Sequence, residues 1–139
     1  MAFVLDNSVA VAWCFEDEQN PYTQSVLEAL HGSEAVVPTV WLLEAPNALL
    51  MAARRGRIAV SMAHTLLGAL LDLPITVAPE LQSSDAPRLL MLAHEYALST
   101  YDAAYIDLGL RLGLPVATQD RPMMAAAERL GIPILGASA

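Results

Sequence analysis

The stretch GLPVATQDRPMMAAAERLGIPIL, Gly113 to Leu135, decides the fold class. Pro115 to Ala117 is a short apolar run, and Thr118 to Asp120 interrupts it with residues of the kind that open helices. Pro122 to Leu130 reads as a helix starting after Asp120, with proline in the first turn, where its missing N–H costs nothing. Gly131 stops that helix, and Ile132 to Leu135 is apolar again. Strand, helix, strand in so few residues is the pattern of a parallel crossover unit.

The same alternation continues outward to the N-terminus. Ala2 to Leu5 is an apolar run ended by Asp6, Asn7 and Ser8, and Val9 to Phe15 reads as a short helix. Pro21 opens a second helix, with Tyr22, Val26, Ala29 and Leu30 at helical spacing and Gly32 as its stop. Ala35 to Val37 is a strand. Val40 to Arg55 is a long helix with cations in its last turn and Gly56 beyond it. A helix from Ser61 to Leu71 ends before Pro74, and Ile75 to Ala78 is the third strand. Asp85 caps a helix that carries Leu89, Leu92, Ala93 and Tyr96 on one face; Ser99 or Thr100 caps the next, which stops at Gly113. Apolar strands alternating with helices predict an α/β fold on a parallel sheet covered on both faces. Residues 1–139 show no repeat, linker or low-complexity tract and are read as one domain. Pro46 is the misfit, since it predicts a bend, or a break and restart, within the Val40 to Arg55 helix.

Hydrophobic residues make up 55% of the chain and mean hydropathy is +0.44, which excludes disorder. Runs such as Leu66 to Leu71 or Leu89 to Ala93 nevertheless fall far short of the ~18 apolar residues a crossing helix needs. Asp6 interrupts a start without Lys or Arg, so no secretory signal is expected. Cys14 is the one cysteine, which excludes an intrachain disulfide and makes a cytoplasmic location the default. Fifteen acids stand against seven basic residues, for a net charge of −8, and every base is arginine. The absence of lysine excludes a P-loop, Schiff-base chemistry and a receiver-type phospho-acceptor site. No broad basic face is available to nucleic acid, so phosphate chemistry would need a divalent metal to supply positive charge.

Four acids stand out by position. Asp6 follows the first strand and Asp120 the fourth, and the carboxyl ends of parallel strands form the usual ligand crevice. Asp102 lies in the first turn of the helix leading to the fourth strand. Glu44 sits among Trp41, Leu42, Leu43 and Ala45, an awkward place for a charge. Each has a structural alternative: a turn residue at Asp6, an N-cap at Asp120, a helix-dipole partner at Asp102, a surface charge at Glu44. Gathered in one pocket they would repel one another unless a cation neutralised them, and oxygen-only ligands suit Mg²⁺ or Mn²⁺.

Ser8, Thr118 and Asn47 are supporting polar candidates, each as readily a cap or a core hydrogen bond. Asp107, five residues after Asp102, is rotated away on the helix and reads as a solvated charge or secondary contact. His31, His64 and His94 lack ligand spacing, and no nucleophile-elbow motif is present. Met91, Met123 and Met124 read as core. Arg54, Arg55 and Arg57 form the basic cluster, either cations at a helix C-terminus or a handhold on an RNA backbone.

The chain resembles the PIN-domain ribonucleases, and among them the VapC-like toxins of toxin–antitoxin pairs, over nearly its whole length. YDAAY at Tyr101 to Tyr105 and PVATQD at Pro115 to Asp120 look like the family's third and fourth acidic motifs; FVLDNSVAVAW resembles the first and WLLEAPNALL the second. The resemblance implies a three-layer α/β/α domain with a five-stranded parallel sheet. It places Asp6, Glu44, Asp102 and Asp120 at the catalytic, metal-binding positions, with Ser8, Thr118 and Asn47 at supporting ones. Pro46 departs from the family pattern. The implied activity is that of a Mg²⁺- or Mn²⁺-dependent endoribonuclease, with Asp102 or Glu44 orienting the attacking water or taking its proton. Expected partners are tRNA or rRNA as substrate, a second copy of the chain, and a VapB-like antitoxin whose arginine fills the acidic pocket; no membrane is expected. One alternative is an inactive PIN domain serving as a protein- or RNA-binding module, against which four intact acids argue. Another is a phosphatase with Asp6 as nucleophile, but such enzymes usually carry a second acid two residues later and a lysine, where this chain has Ser8 and no lysine.

Overall fold

Phe3, Val4 and Leu5 are buried on both faces of their strand, as a continuous apolar run in a parallel sheet must be. The computed structural model describes residues 1–136. Its strands are β1 (Ala2–Leu5), β2 (Glu34–Val37), β3 (Ile75–Val77) and β4 (Val116–Ala117), all parallel and ordered β3-β2-β1-β4. Flanking helices are α1 (Asn7–Ala12), α2 (Pro21–Ala29), α3 (Trp41–Arg54), α4 (Val60–Leu71), α5 (Ala86–Tyr96), α6 (Thr100–Leu112) and α7 (Arg121–Leu130). The chain steps outward from β1 through β2 to β3, then returns to place β4 on the other side of β1. The two directions of winding part between β1 and β4, and that is the topological switch point where α/β sheets form their crevice.

The expected fifth strand at Ile132 to Leu135 does not form, so the sheet has four strands among the described residues. Only one bridge, Val116 to Ile134, remains of it. Two constraints explain the loss. Pro133 has no N–H to give a ladder, and β4 is only two residues long, so there is little edge to pair with. The Pro133 carbonyl still accepts from the Val116 N–H at 2.9 Å, and Leu135 N–H donates to the Val116 carbonyl at 2.9 Å.

The helix ends follow their local chemistry. Asn20 and Thr23 form a reciprocal cap on α2, Ser99 Oγ accepts from the Asp102 N–H on α6, and Gly113 closes α6 at φ +66. Asp85 stands at the N-cap of α5 but does not cap it; its carboxylate turns back to accept from the Gln82 N–H at 2.7 Å and from Arg88 at 2.9 Å. The first helix starts at Asn7 rather than Val9 and ends at Ala12. Helix α3 does not break and restart at Pro46 but continues through it as one element, although proline cannot donate to the Leu42 carbonyl.

Helix α6 is the central one, with every residue from Ala103 to Gly109 buried. At Gly109 a Cβ would stand 3.1 Å from a Val116 methyl and 3.3 Å from the Leu114 carbonyl, so the helix needs glycine there to lie close to β4. Asp107 is not the solvated charge its spacing indicated. It is 3% exposed, and Arg88 and Arg111 both donate to it at 2.9 Å, tying α5 to α6. Met123 is core, whereas Met91 and Met124 are 69% and 40% exposed, because α5 and α7 turn those positions outward. No helix among the described residues is long and apolar enough to cross a membrane.

Cys14 packs half-buried between the main core and a smaller cluster around Phe15, Leu49 and Ala52. Burial, and to a lesser extent the charge of Glu18, pushes its thiol up to about 11. At about pH 8 its thiolate fraction is then roughly a hundredfold below that of an ordinary thiol. Titration with Ellman's reagent in native buffer is expected to be slow by that factor and to become fast in urea; a rate matching free cysteine in native buffer would contradict this packing.

Candidate functional site

The register of the two central strands builds the site. Leu5 pairs with Ala117, and the Asp6 N–H donates to the Ala117 carbonyl at 2.9 Å, so the residues leaving both strands stay side by side. Asp6 occupies the N-cap position of α1 but makes no side-chain cap. Its Oδ2 instead accepts from Ser8 Oγ at 2.6 Å and from Thr118 Oγ1 at 2.8 Å. The residue is 4% exposed. Burial pushes its carboxyl above the usual range, the two hydroxyls pull the other way, and the charge of Asp120 pushes again.

Asp120 has two roles in the fold. Its Oδ2 caps α7 by accepting from the Met123 N–H at 3.1 Å, while its own N–H donates to Thr118 Oγ1 at 3.0 Å. Asp102, in the first turn of α6, is raised by burial and then by the charges of Asp6 and Asp120. Glu44 projects from the first turns of α3, where burial raises it, the Tyr105 hydroxyl lowers it, and Asp6 and Asp102 raise it further. These mutual effects mean that the four carboxylates share one electrostatic environment. Ser8 and Thr118 bind Asp6 directly. Asn47 makes no hydrogen bond to the acids among the described residues, but it lines a pocket of about 440 Å³ with Glu44, Val40, Leu43 and Tyr101.

Two residues escaped the sequence reading. Tyr105 is fully buried and donates its hydroxyl to Glu44 Oε1 at 2.6 Å, which settles how the glutamate is held despite Pro46 two residues on. Its place three residues after Asp102, on the same side of α6, was the available signal. Gln119 donates its N–H to Ser8 Oγ at 3.3 Å and accepts from Asn20 Nδ2 at 2.7 Å, linking the start of α2 to the strand ends. Nothing local marks that contact.

The donor set fits a hard cation. All four side chains offer oxygen only, and none is ion-paired among the described residues. No three of the chain's His, Cys, Asp or Glu side chains are placed to cage an ion unaided among those residues. An ion held here would therefore take no more than two of the carboxylates directly, with water completing its shell. A more apolar cavity of about 350 Å³ lies between α3 and α4, and it shares Leu43 and Asn47 with the pocket beside Glu44.

Two outcomes follow from this geometry. Tyr105→Phe keeps the ring but leaves a half-buried carboxylate without its donor, so it is expected to cost about 1–2 kcal/mol in urea unfolding; a loss below about 0.3 kcal/mol would show that the bond carries no weight. Because Asp6, Glu44 and Asp102 are raised in the folded chain, the folded state binds more protons than the unfolded one just above the ordinary carboxylate range. Their charged forms therefore oppose folding at neutral pH, and that penalty lifts as pH falls through their raised values. In metal-free buffer the Tm should rise as pH falls from neutrality toward the ordinary carboxylate range, with a flatter rise in Asp6→Asn; a steady fall in the same direction would contradict the electrostatics.

Comparison with known proteins places the fold. No curated protein matches the chain. Among solved structures it is similar to PAE2754 from Pyrobaculum aerophilum, with a TM-score of 0.71 and 23% identity over 91% of this chain and 84% of that one. It is also similar to VapBC2 from Rickettsia felis, determined bound to a DNA fragment from their promoter, with a TM-score of 0.66 and 10% identity over 96% of each chain. The PIN domain model matches residues 3–129, from β1 through α7, and on that match the chain belongs to the PIN-domain family.

Proposed function

We propose that the protein is a metal-dependent endoribonuclease, the toxin of a VapBC-type pair, acting on cytoplasmic RNA. The observation that carries this reading is the buried Asp6 carboxylate, fixed by Ser8 and Thr118 at the switch point, with three further acids around it and no cation among the described residues to balance them. A cluster of this kind costs stability, and a bound cation offsets that cost.

Asp6, Glu44, Asp102 and Asp120 would hold Mg²⁺ or Mn²⁺ between them, no more than two directly and the others through water. When bound, the ion supplies positive charge to the scissile phosphate and acidifies the attacking water. The chain's own residues do the rest. Ser8 and Thr118 fix the rotamer of Asp6, so its other oxygen keeps a constant direction. Tyr105 occupies one oxygen of Glu44 and leaves the second free of hydrogen bonds among the described residues. Asp102 or Glu44 orients the water and takes its proton as the new P–O bond forms and the old one breaks.

The partner reading has support of the same kind. A net charge of −8 and an uncompensated acidic pocket suit a basic segment, and an arginine of a VapB-like antitoxin would enter that pocket as a cation mimic. The apolar cavity between α3 and α4 adjoins the pocket at Leu43 and Asn47 and offers such a segment a hydrophobic seat. Exposed Leu42 and Leu50 on α3 favour a homodimer.

Cleavage of total tRNA and rRNA by the purified chain tests the activity, with Mg²⁺ or Mn²⁺ and with chelator. Cutting should require metal and fall at least about a hundredfold in Asp6→Asn and in Asp102→Asn, both checked for folding. Equal cutting by the variants would mean a contaminating nuclease. No cutting by the wild type with either metal would favour the binding-module alternative.

A further inference from the structure

We propose that the pocket between α3 and the start of α6 is a stacking subsite for one unpaired RNA base, with the Tyr101 ring as its platform; this rests on the nuclease reading above. Tyr101 and Tyr105 lie on the same helix and are used in opposite ways. Tyr105 is fully buried and commits its hydroxyl to Glu44, whereas Tyr101 is 61% exposed and makes no hydrogen bond or cation–π contact among the described residues. Folding therefore gains little from the Tyr101 ring. It stands next to Asp102 in the chain, and with Val40, Leu43, Glu44 and Asn47 it lines an open pocket of about 440 Å³. Leu43 is 73% exposed, so the pocket has two large apolar side chains turned to solvent beside the carboxylates.

Charge identifies the occupant. RNA binding usually draws its affinity from lysine and arginine on phosphates. This chain has no lysine, and four of its seven arginines are already engaged: Arg57 with Asp17 and Glu18, Arg88 and Arg111 with Asp107, and Arg129 over the Tyr96 ring. Arg54, Arg55 and Arg121 are exposed and outside these pairs, so three cations at most meet phosphates, and base stacking on an exposed aromatic supplies affinity that this small basic surface does not. The Asn47 amide at the same pocket offers both a donor and an acceptor to a base edge. A stacked duplex cannot present a base face to Tyr101, so the subsite selects nucleotides in loops, bulges or ends.

Fluorescence anisotropy with a labelled single-stranded RNA decamer tests this, in Mg²⁺ and in an Asp6→Asn background that blocks cleavage. Tyr101→Ala and Tyr101→Leu should each weaken binding about tenfold, and Tyr101→Trp should retain it, because only the aromatic face is needed. A duplex of the same sequence should be indifferent to all three changes. With Asp6 intact, Tyr101→Ala should raise KM for RNA cleavage far more than it lowers kcat. If the Leu variant binds as tightly as the parent, the pocket is a plain apolar seat for a protein side chain and the proposal fails. If RNA is bound and cut but the Ala variant is unaffected, the subsite alone is refuted. A chain that neither binds nor cuts RNA refutes the nuclease reading and this inference with it.

Discussion

The pairing of β1 with β4 is the constraint from which the site follows. One register, Leu5 opposite Ala117, sets Asp6 and Thr118 next to each other at the point where the sheet changes its direction of winding. A shift of one residue would turn Asp6 to the opposite face and separate it from the hydroxyl that holds it. The apolar runs on both strands and the close approach of α6 at Gly109 resist such a shift, since it would expose Val4 or crowd Val116. Core packing and the geometry of the acids therefore depend on the same contacts.

Those acids oppose folding at neutral pH. Burial raises three of them, and each feels the charge of others in the group. A chain selected for stability alone would replace Asp6 with an apolar or neutral residue, because the surrounding core is fully packed. Retaining a buried carboxylate, with two hydroxyls on it and a buried tyrosine on its neighbour Glu44, is the arrangement from which the proposed cation site is argued. Asp107 shows the contrast. It is equally buried, but two arginines neutralise it, and its role is to fasten α5 to α6.

The distribution of cations completes this division. Four arginines lie in ion pairs or over aromatic rings with residues other than the four acids, and none of the seven is ion-paired with those acids among the described residues. Under the proposed function, this distribution would call for a metal and a non-electrostatic contact to hold RNA. It also leaves the site open to a basic partner, with an apolar cleft adjoining it.

Much of this was legible in the sequence, for local reasons. Helix ends at Ser99 and Asp120 depend on one side chain reaching one nearby N–H, and the apolar strands reveal burial on both faces. The four acids were visible because each sits where a charge is unusual or a crevice is expected. The fifth strand was misjudged because Ile132 to Leu135 has strand composition, yet strand formation requires a partner edge, and β4 supplies only two residues. Asp107 and Met91 were misplaced because helical spacing shows that residues share a face, without showing what that face meets. By itself, then, the sequence determined the alternation of elements, the positions of the four acids and the absence of lysine. Only the tertiary structure decided which oxygen each acid presents: Asp6 meets Thr118 across 112 residues and Glu44 meets Tyr105 across 61, and contacts at that separation follow from sheet order and register, which local pattern does not encode.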